Sequence, residues 1–443
     1  MGGYAVLINF TFRNFRSFRD EQAFSMEREA RFAGMDKDLD SDVSTVAAIY
    51  GANASGKSNF LKAIAAMRDM VVSSYSAGNA VSKIGRSPFR LDDLKSGEPT
   101  EFFAEFIASD RLRYQYWFRY DDKRVGTEEL RRFNRTAGKE SKRSSLLFSK
   151  QKEELFFGAA FKGPRAQVKE TAKRRPNALV LSACAAAGIE IIQPAYAFFN
   201  DGIRYYQADA FSAEEPHIMQ ELSDNTSFGR SLSELVQYAD FGIDSVETEQ
   251  VDLSAALSPI PDELKYGFTT EKDPAPIVVG LPISRLMFNH RGVDGDVALD
   301  ASEESRGTRA ALAFFSLALS NLSRFSVTVV DEIDTSLHPR LVRELVKLYT
   351  DRATNPHHSQ LIFSTHDVTL INTSPSDERV VQPDQIWFVE KSPDGSSEIF
   401  PATELGLRKE ENVGKNYLNG VYGATPNPAF HDVFARIVAE RAE

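Results

Sequence analysis

An α/β fold is expected, built on a mainly parallel sheet with antiparallel strands near the N-terminus and a mixed, partly helical insertion. Three features of the sequence lead there. The apolar run Val43–Tyr50 ends in a glycine turn and is followed by apolar residues at helical spacing. Residues 101–120 read as two antiparallel strands joined by a short link. After Leu281, short apolar runs alternate with helical patterns, the order that yields a parallel sheet covered by helices.

Taken in chain order, Ala5 to Phe12 is apolar and β-branched enough for a first strand. Beyond the glycine turn, Phe60, Leu61, Ile64, Met67 and Val71 fall on one face of a helix over Ser58–Ser73. Glu101–Ala108 and Arg111–Tyr120 follow as strands. In the second, Leu112, Tyr114, Tyr116, Phe118 and Tyr120 share one face, and Arg111, Arg113, Gln115 and Arg119 the other. Residues 136–280 carry weaker signals and read as mixed helices, one near Ser231–Tyr238. Then come a helix over Thr308–Leu322, a buried strand over Ser326–Val330, and a helix over Pro339–Tyr349. Proline there occupies the first turn, where its missing N–H costs nothing. Gln360–Ser364 and Gln385–Glu390 are further strands. The expected division is an N-terminal lobe over 1–135, an insertion over 136–280 and a C-terminal lobe over 281–443. No heptad run is present, which excludes a long coiled-coil arm.

A chain of 443 residues accommodates two domains, or one domain with a large insertion. With 42% apolar and 26% charged residues it has an ordinary soluble composition. The single cysteine, Cys184, permits no intramolecular disulfide and suits a reducing cytoplasm; its alanine-rich surroundings predict a buried structural role. No basic-then-apolar leader opens the chain, and no stretch approaches the ~18 apolar residues of a membrane span, so a secreted or integral membrane protein is not expected. The net charge of −11 argues against a surface built to coat nucleic acid. That charge is uneven. Residues 131–175 hold 14 Lys/Arg against 4 Asp/Glu, which leaves −21 on the rest. A solvated insert is the preferred reading of this segment, and a patch for nucleic acid or an acidic partner the alternative.

Four motifs carry chemistry. Gly51-Ala-Asn53-Ala54-Ser55-Gly56-Lys57-Ser58 fits the phosphate-binding pattern G-x-x-x-x-G-K-[ST] and lies between a strand and a helix. Its glycines allow close wrapping of the backbone, and its N–H groups, with those of the helix start through Asn59, favour an anion. Lys57 would reach the outer phosphates, and the Ser58 hydroxyl would coordinate Mg²⁺, a hard ion that prefers oxygen. Second, the apolar strand Ser326–Val330 ends in Asp331 and Glu332: Asp331 would hold Mg²⁺ through water, and Glu332 would act as general base on the attacking water. Third, Leu361–Ser364 delivers Thr365, His366 and Asp367 at a strand end, where ligands sit in open α/β sheets. The imidazole of His366 could bond the terminal phosphate and respond to its loss. Fourth, Glu304-Ser305-Arg306-Gly307-Thr308 opens a helix, so Ser305 and Gly307 could offer a hydroxyl and N–H groups to an anion. Alone it would be an ordinary capped helix start.

In this order the motifs resemble those of ABC-type P-loop ATPase heads, in the branch containing Rad50, SMC and RecF. The resemblance implies ATP and Mg²⁺ as ligands and a head-to-tail homodimer or larger homo-oligomer. In such a dimer the turn Ser305–Thr308 of one subunit caps ATP held by the other. Asn14-Phe-Arg16-Ser17-Phe18 resembles the N-terminal turn of this branch, which places Arg16 beside the nucleotide. Asp331-Glu-Ile-Asp334-Thr-Ser-Leu-His338-Pro339 resembles its strand end and following loop. Asp384–Lys391 and Tyr417–Pro426 resemble the AAA15 predicted ATPases, which include ATPase subunits of abortive-infection and Rlo-type loci and of the PARIS phage-defence module. The likeness covers roughly 1–135 and 280–443, and is loose around Arg175–Ser182. Three departures stand out. Arg306 occupies a position where many relatives have a small residue. No Q-loop glutamine is evident, although Ser87–Asp92 lies where that loop is expected. No nuclease domain is expected after the ATPase motifs.

The leading functional expectation is an ATP-hydrolysing sensor or scaffold of a prokaryotic anti-phage system, controlling a separate effector encoded nearby, for instance a nuclease. The alternative is a RecF- or Rad50-like repair ATPase that binds DNA in a salt-dependent manner. A transporter subunit is disfavoured, because 254 residues separate Gly51 from Ser305.

Overall fold

The computed structural model describes residues 5–29, 42–79, 81–136, 139–207, 210–239, 241–252, 282–293, 295–372, 379–407, 411–425 and 430–442. They fall into two compact units. The first is drawn from 1–208, 321–334 and 342–443, the second from 209–320 and 335–341. These units do not coincide with the expected boundaries at 135/136 and 280/281. The reason is local. Residues 139–157, read from sequence as part of a mixed helical insertion, are strands that extend the N-terminal sheet. Their polar, serine- and lysine-rich stretch hides the alternation that marks a strand.

The first unit holds two sheets. The antiparallel one runs β2–β1–β4–β5–β6–β7–β8, with β1 Val6–Arg13, β2 Gln22–Ser25, β4 Thr100–Ile107, β5 Arg113–Tyr120, β6 Val125–Thr136, β7 Lys139–Gln151 and β8 Glu154–Phe157. The other runs β16–β15–β3–β14–β13–β9, with β3 Val46–Tyr50, β9 Ile203–Tyr206, β13 Val327–Val330, β14 Gln360–Ser364, β15 Ile386–Lys391 and β16 Ser397–Pro401. Every pairing in it is parallel except that of the edge strand β16. β3, β13 and β14 are buried at every position and mostly apolar, as a sheet covered on both faces requires.

The helix Lys57–Ser73 buries Phe60, Leu61, Ala63, Ile64, Met67 and Val71. Phe24 joins the layers: its ring lies 5.0 Å from Phe60 and 4.8 Å from Trp387. Each such aromatic contact adds about 1 kcal/mol to the burial itself. Gln360 ties the sheets together from β14. Its side chain accepts from Leu7 N at 2.7 Å and donates to the carbonyls of Leu7 and Ser44. Tyr114, Tyr116, Phe118 and Tyr120 are buried on the face that alternation predicted. Beneath them the carboxylate of Glu128 accepts from Tyr116 Oη and from the N–H groups of Val180 and Leu181, where the helix Val180–Ala186 begins. Cys184 in that helix is buried, as expected, and burial pushes its thiol up to about 12.

The second unit contains a three-stranded antiparallel sheet: β10 Ile243–Asp252, β11 Pro282–Arg291 and β12 Asp296–Asp300. Helices Ala210–Ser223 and Ser227–Tyr238 belong to it, as do all but the last two residues of Arg306–Leu322. The helix expected near Ser231–Tyr238 begins at Ser227, capped by Thr226, whose hydroxyl accepts from Gly229 N. No described helix is long and apolar enough to cross a membrane.

Candidate nucleotide-binding site

The site lies at the carboxyl ends of β3, β13 and β14, where an open parallel sheet binds its ligands. The loop after β3 packs so tightly that two of its residues must be glycine. A Cβ on Gly51 would sit 2.4 Å from the Val389 carbonyl. One on Gly56, at φ +125°, would sit 2.7 Å from Ser397 Oγ. Ala54 also has a left-handed φ of 63°, and Asn53 and Ala54 form the exposed crown of the loop. The helix that follows has no side-chain cap and no acidic residue in its first turn, so its first N–H groups are open to an anion.

Lys57 folds back over the loop and donates to the carbonyls of Gly51 at 2.8 Å and Ala52 at 3.1 Å. Burial lowers its pKa, opposed by Glu332, Asp331 and Asp334. Ser58 Oγ donates to Asp331 Oδ1 at 2.9 Å, and Ser364 Oγ donates to the same oxygen at 2.7 Å. Ser364 Oγ also accepts from Glu332 N at 2.7 Å. Glu332 leaves the end of β13 at φ 55°, a conformation uncommon for a non-glycine residue, and its side chain is exposed. His366, at the end of β14, donates its backbone N–H to Asp334 Oδ2 at 3.2 Å. Partial burial of its ring and the nearby Lys57 charge lower its pKa, opposed by Asp334 and Glu332.

Arg16 is exposed, with φ 53°, and its N–H is bonded to the Ser87 carbonyl at 2.6 Å. Its turn is fastened to the loop by Ser17: Asn59 Nδ2 donates to Ser17 Oγ at 2.9 Å, Ser397 N donates to the Ser17 carbonyl at 2.7 Å, and Ser397 Oγ donates to the Ser55 carbonyl. The sequence motifs at Arg16, Gly51–Asn59, Asp331, Glu332 and His366 therefore converge within one unit. Ser305 and Gly307 belong to the other. There Ser305 Oγ accepts from Thr308 N at 3.0 Å, so the turn is a capped helix start, and Arg306 is exposed. A Cβ on Gly307 would meet the Ser336 carbonyl at 2.7 Å.

Two readings need correction. Ser87–Asp92 is not the loop beside Asp331. It packs on the N-terminal turn, where Phe89 N donates to Asn14 Oδ1. The glutamine at the sheet's carboxyl end is instead Gln207. β9 is the parallel neighbour of β13, in register Tyr206 to Val330, and Asp331 N donates to the Tyr206 carbonyl at 2.9 Å. Gln207 thus leaves its strand at the level of Asp331 and is exposed. A four-residue strand, Ile203-Arg-Tyr-Tyr206, is too short to announce itself by periodicity. Beside it a cavity of about 590 Å³ runs along the helix Lys57–Ser73, with Arg16, Lys62, Lys83, Tyr205 and Gln207 in its walls. Burial and the neighbouring Asp331 push the Tyr205 hydroxyl up to about 12.

Fold and site together define a P-loop nucleotide-binding α/β domain. Residues 46–372 match the family described as "AAA domain, putative AbiEii toxin, Type IV TA system", and the chain belongs to that family. No curated protein matches it. Among solved structures it is similar to an Smc head bound to the C-winged helix domain of ScpA, at 15% identity over 89% of this chain and 96% of that one, TM-score 0.42. A second Smc head, with an extended coiled coil, bound to the C-terminal domain of ScpA derived from Pyrococcus furiosus, gives 14% identity over 91% and 98%, TM-score 0.40. The recombination mediator RecF with ATP gives 15% over 90% and 98%, TM-score 0.35.

Proposed function

We propose that the chain binds ATP with Mg²⁺ and hydrolyses it, in a site completed by the Ser305 turn of a second copy. The observation that carries this reading is the convergence of Ser58 and Asp331 at 2.9 Å. A P-loop hydroxyl and a strand-end carboxylate then present hard oxygen donors to one point, as Mg²⁺ requires. Bound there, Mg²⁺ would neutralise charge on the phosphates. Lys57 would exchange the loop carbonyls for phosphate oxygens, Glu332 would take the proton of the attacking water, and neutral His366 would donate to the terminal phosphate. Gln207, level with Asp331, would orient that water or add an oxygen ligand. The cavity beside Arg16 and Lys62 has the size and polarity to take ribose and base.

The solution mass of Glu332→Gln protein, with and without ATP·Mg²⁺, tests the shared site. A doubling on addition of ATP supports it; an unchanged mass with nucleotide bound overturns it. A Lys57→Ala chain mixed with a Ser305→Ala chain should regain part of the activity both lack, because one of two composite sites is intact.

We infer further that it is the ATP-driven sensor or scaffold of an anti-phage system acting through a separate effector; the family's toxin–antitoxin description supports the defence context. Copurification with products of adjacent genes, together with reduced phage plating, is the expected outcome. Repeated recovery of the chain alone, without any plating effect, would refute it.

A further inference from the structure

Away from the nucleotide site, the first unit carries a groove of about 530 Å³ between β2, an edge strand of the seven-stranded sheet, and β16, an edge strand of the six-stranded one. Glu21, Glu398 and Glu404 stand exposed around it, and no lysine or arginine lines it. Glu398 also lies directly opposite Glu390 in the β15–β16 pair, an arrangement of like charges that disfavours the sheet unless a cation lies nearby. None of these four carboxylates has a cationic partner among the described residues. Trp387 forms part of the wall. It is 5% exposed, and its indole N–H lacks an acceptor among the described residues. The groove therefore offers negative charge beside an apolar wall, the complement of a basic segment.

The chain itself contains such a segment. Its local excess of positive charge is concentrated in 131–175, and the end of the β6–β7 hairpin presents Lys139, Lys142 and Arg143, exposed and without an ion-pair partner among the described residues, beside Arg135, which stands opposite Glu140 in the strand register. The hairpin cannot fill the groove of its own molecule. On β4 the groove reaches Phe103, which is in register with Trp117 and Glu129, so the hairpin end at Arg135 lies six residues further along β6, about 20 Å away.

We propose that the Glu21–Glu398–Glu404 groove receives the β6–β7 hairpin of a second copy of the chain. Because the two surfaces are unlike and lie on different edges of the molecule, the contact is heterologous: it builds a ring if the rotation closes and an open chain if it does not. It needs no nucleotide, so it stands or falls separately from the shared ATP site.

The test is the solution mass of the full chain without nucleotide. At about 50 mM salt the mass should be at least twice the 49.4 kDa of one chain, and it should fall to that value near about 500 mM, where exposed charges are screened. The variant Glu21→Lys/Glu398→Lys/Glu404→Lys and the variant Arg135→Glu/Lys139→Glu/Lys142→Glu/Arg143→Glu should each remain monomeric at low salt, with ATP binding retained as evidence of folding. Mixing the two should restore assembly, because each reversed surface meets its reversed complement. Emission from Trp387, read in a Trp117→Phe background, should shift on assembly. A monomeric parent chain at low salt, assembly that survives either reversal, a mixture that stays monomeric, or Trp387 emission indifferent to assembly would each overturn the proposal.

Discussion

Ser58 and Asp331 share a hydrogen bond of 2.9 Å although 273 residues separate them. The bond joins the phosphate-binding loop to the end of β13, and the same carboxylate oxygen is held from the other side by Ser364. Asp331 is thus fixed before any ligand arrives, which reduces the cost of ordering the site when nucleotide binds.

Removal of the charge next to Asp331 should separate binding from turnover. Glu332→Gln is expected to keep ATP affinity while lowering the steady-state rate by about 10²-fold or more, the usual contribution of a general base. Lys57→Ala should abolish binding. Equilibrium nucleotide titration alongside phosphate release checks both, and wild-type turnover in Glu332→Gln would remove the general-base assignment.

Gln207 gives a sharper test, because only the strand pairing singles it out. Gln207→Ala should lower turnover about 10-fold and raise the Mg²⁺ concentration needed for half-maximal rate, as loss of a supporting metal-site group does. Metal-free nucleotide binding should not change.

Gly307 approaches Ser336 too closely for a side chain. Gly307→Ala should cost about 1–3 kcal/mol through overpacking and reduce hydrolysis more than ATP binding. Gly97→Ala, where a Cβ meets nothing within 4 Å, is the control and should leave thermal unfolding unchanged.

The depressed pKa of His366 makes stability depend on pH. The unfolded chain takes up this proton near 6.5, the ordinary value for histidine, before the folded chain does. The contribution of the neutral ring is therefore complete above that value and is lost as pH falls below it. Denaturant unfolding at about pH 5 and pH 7.5 should show a smaller difference in His366→Gln than in the parent.

Glu128 should be structurally indispensable. It is buried, accepts three hydrogen bonds and faces the buried ammonium of Lys150, and burial raises the pKa of the first and lowers that of the second. Glu128→Ala leaves Lys150 uncompensated and should cost about 3–5 kcal/mol. Glu128→Ala with Lys150→Met should recover much of it, as read by the unfolding midpoint.

The local motifs were legible in sequence because each is set by short-range geometry. The spacing of Gly51, Gly56, Lys57 and Ser58 follows from a loop that must wrap phosphate and enter a helix. The buried strands ending at Asp331 and His366 announce themselves by mostly apolar residues. Alternation in Arg111–Tyr120 identified the buried face of β5, since a two-residue period leaves no other choice. Tertiary structure alone decided what depends on pairing between distant segments. It drew 139–157 into the N-terminal sheet by hydrogen bonding to β6, despite a polar sequence. It brought Gln207 level with Asp331 through a strand of four residues. It also set Glu398 against Glu390 at a sheet edge, a pairing that depends on strand register, which no local pattern encodes.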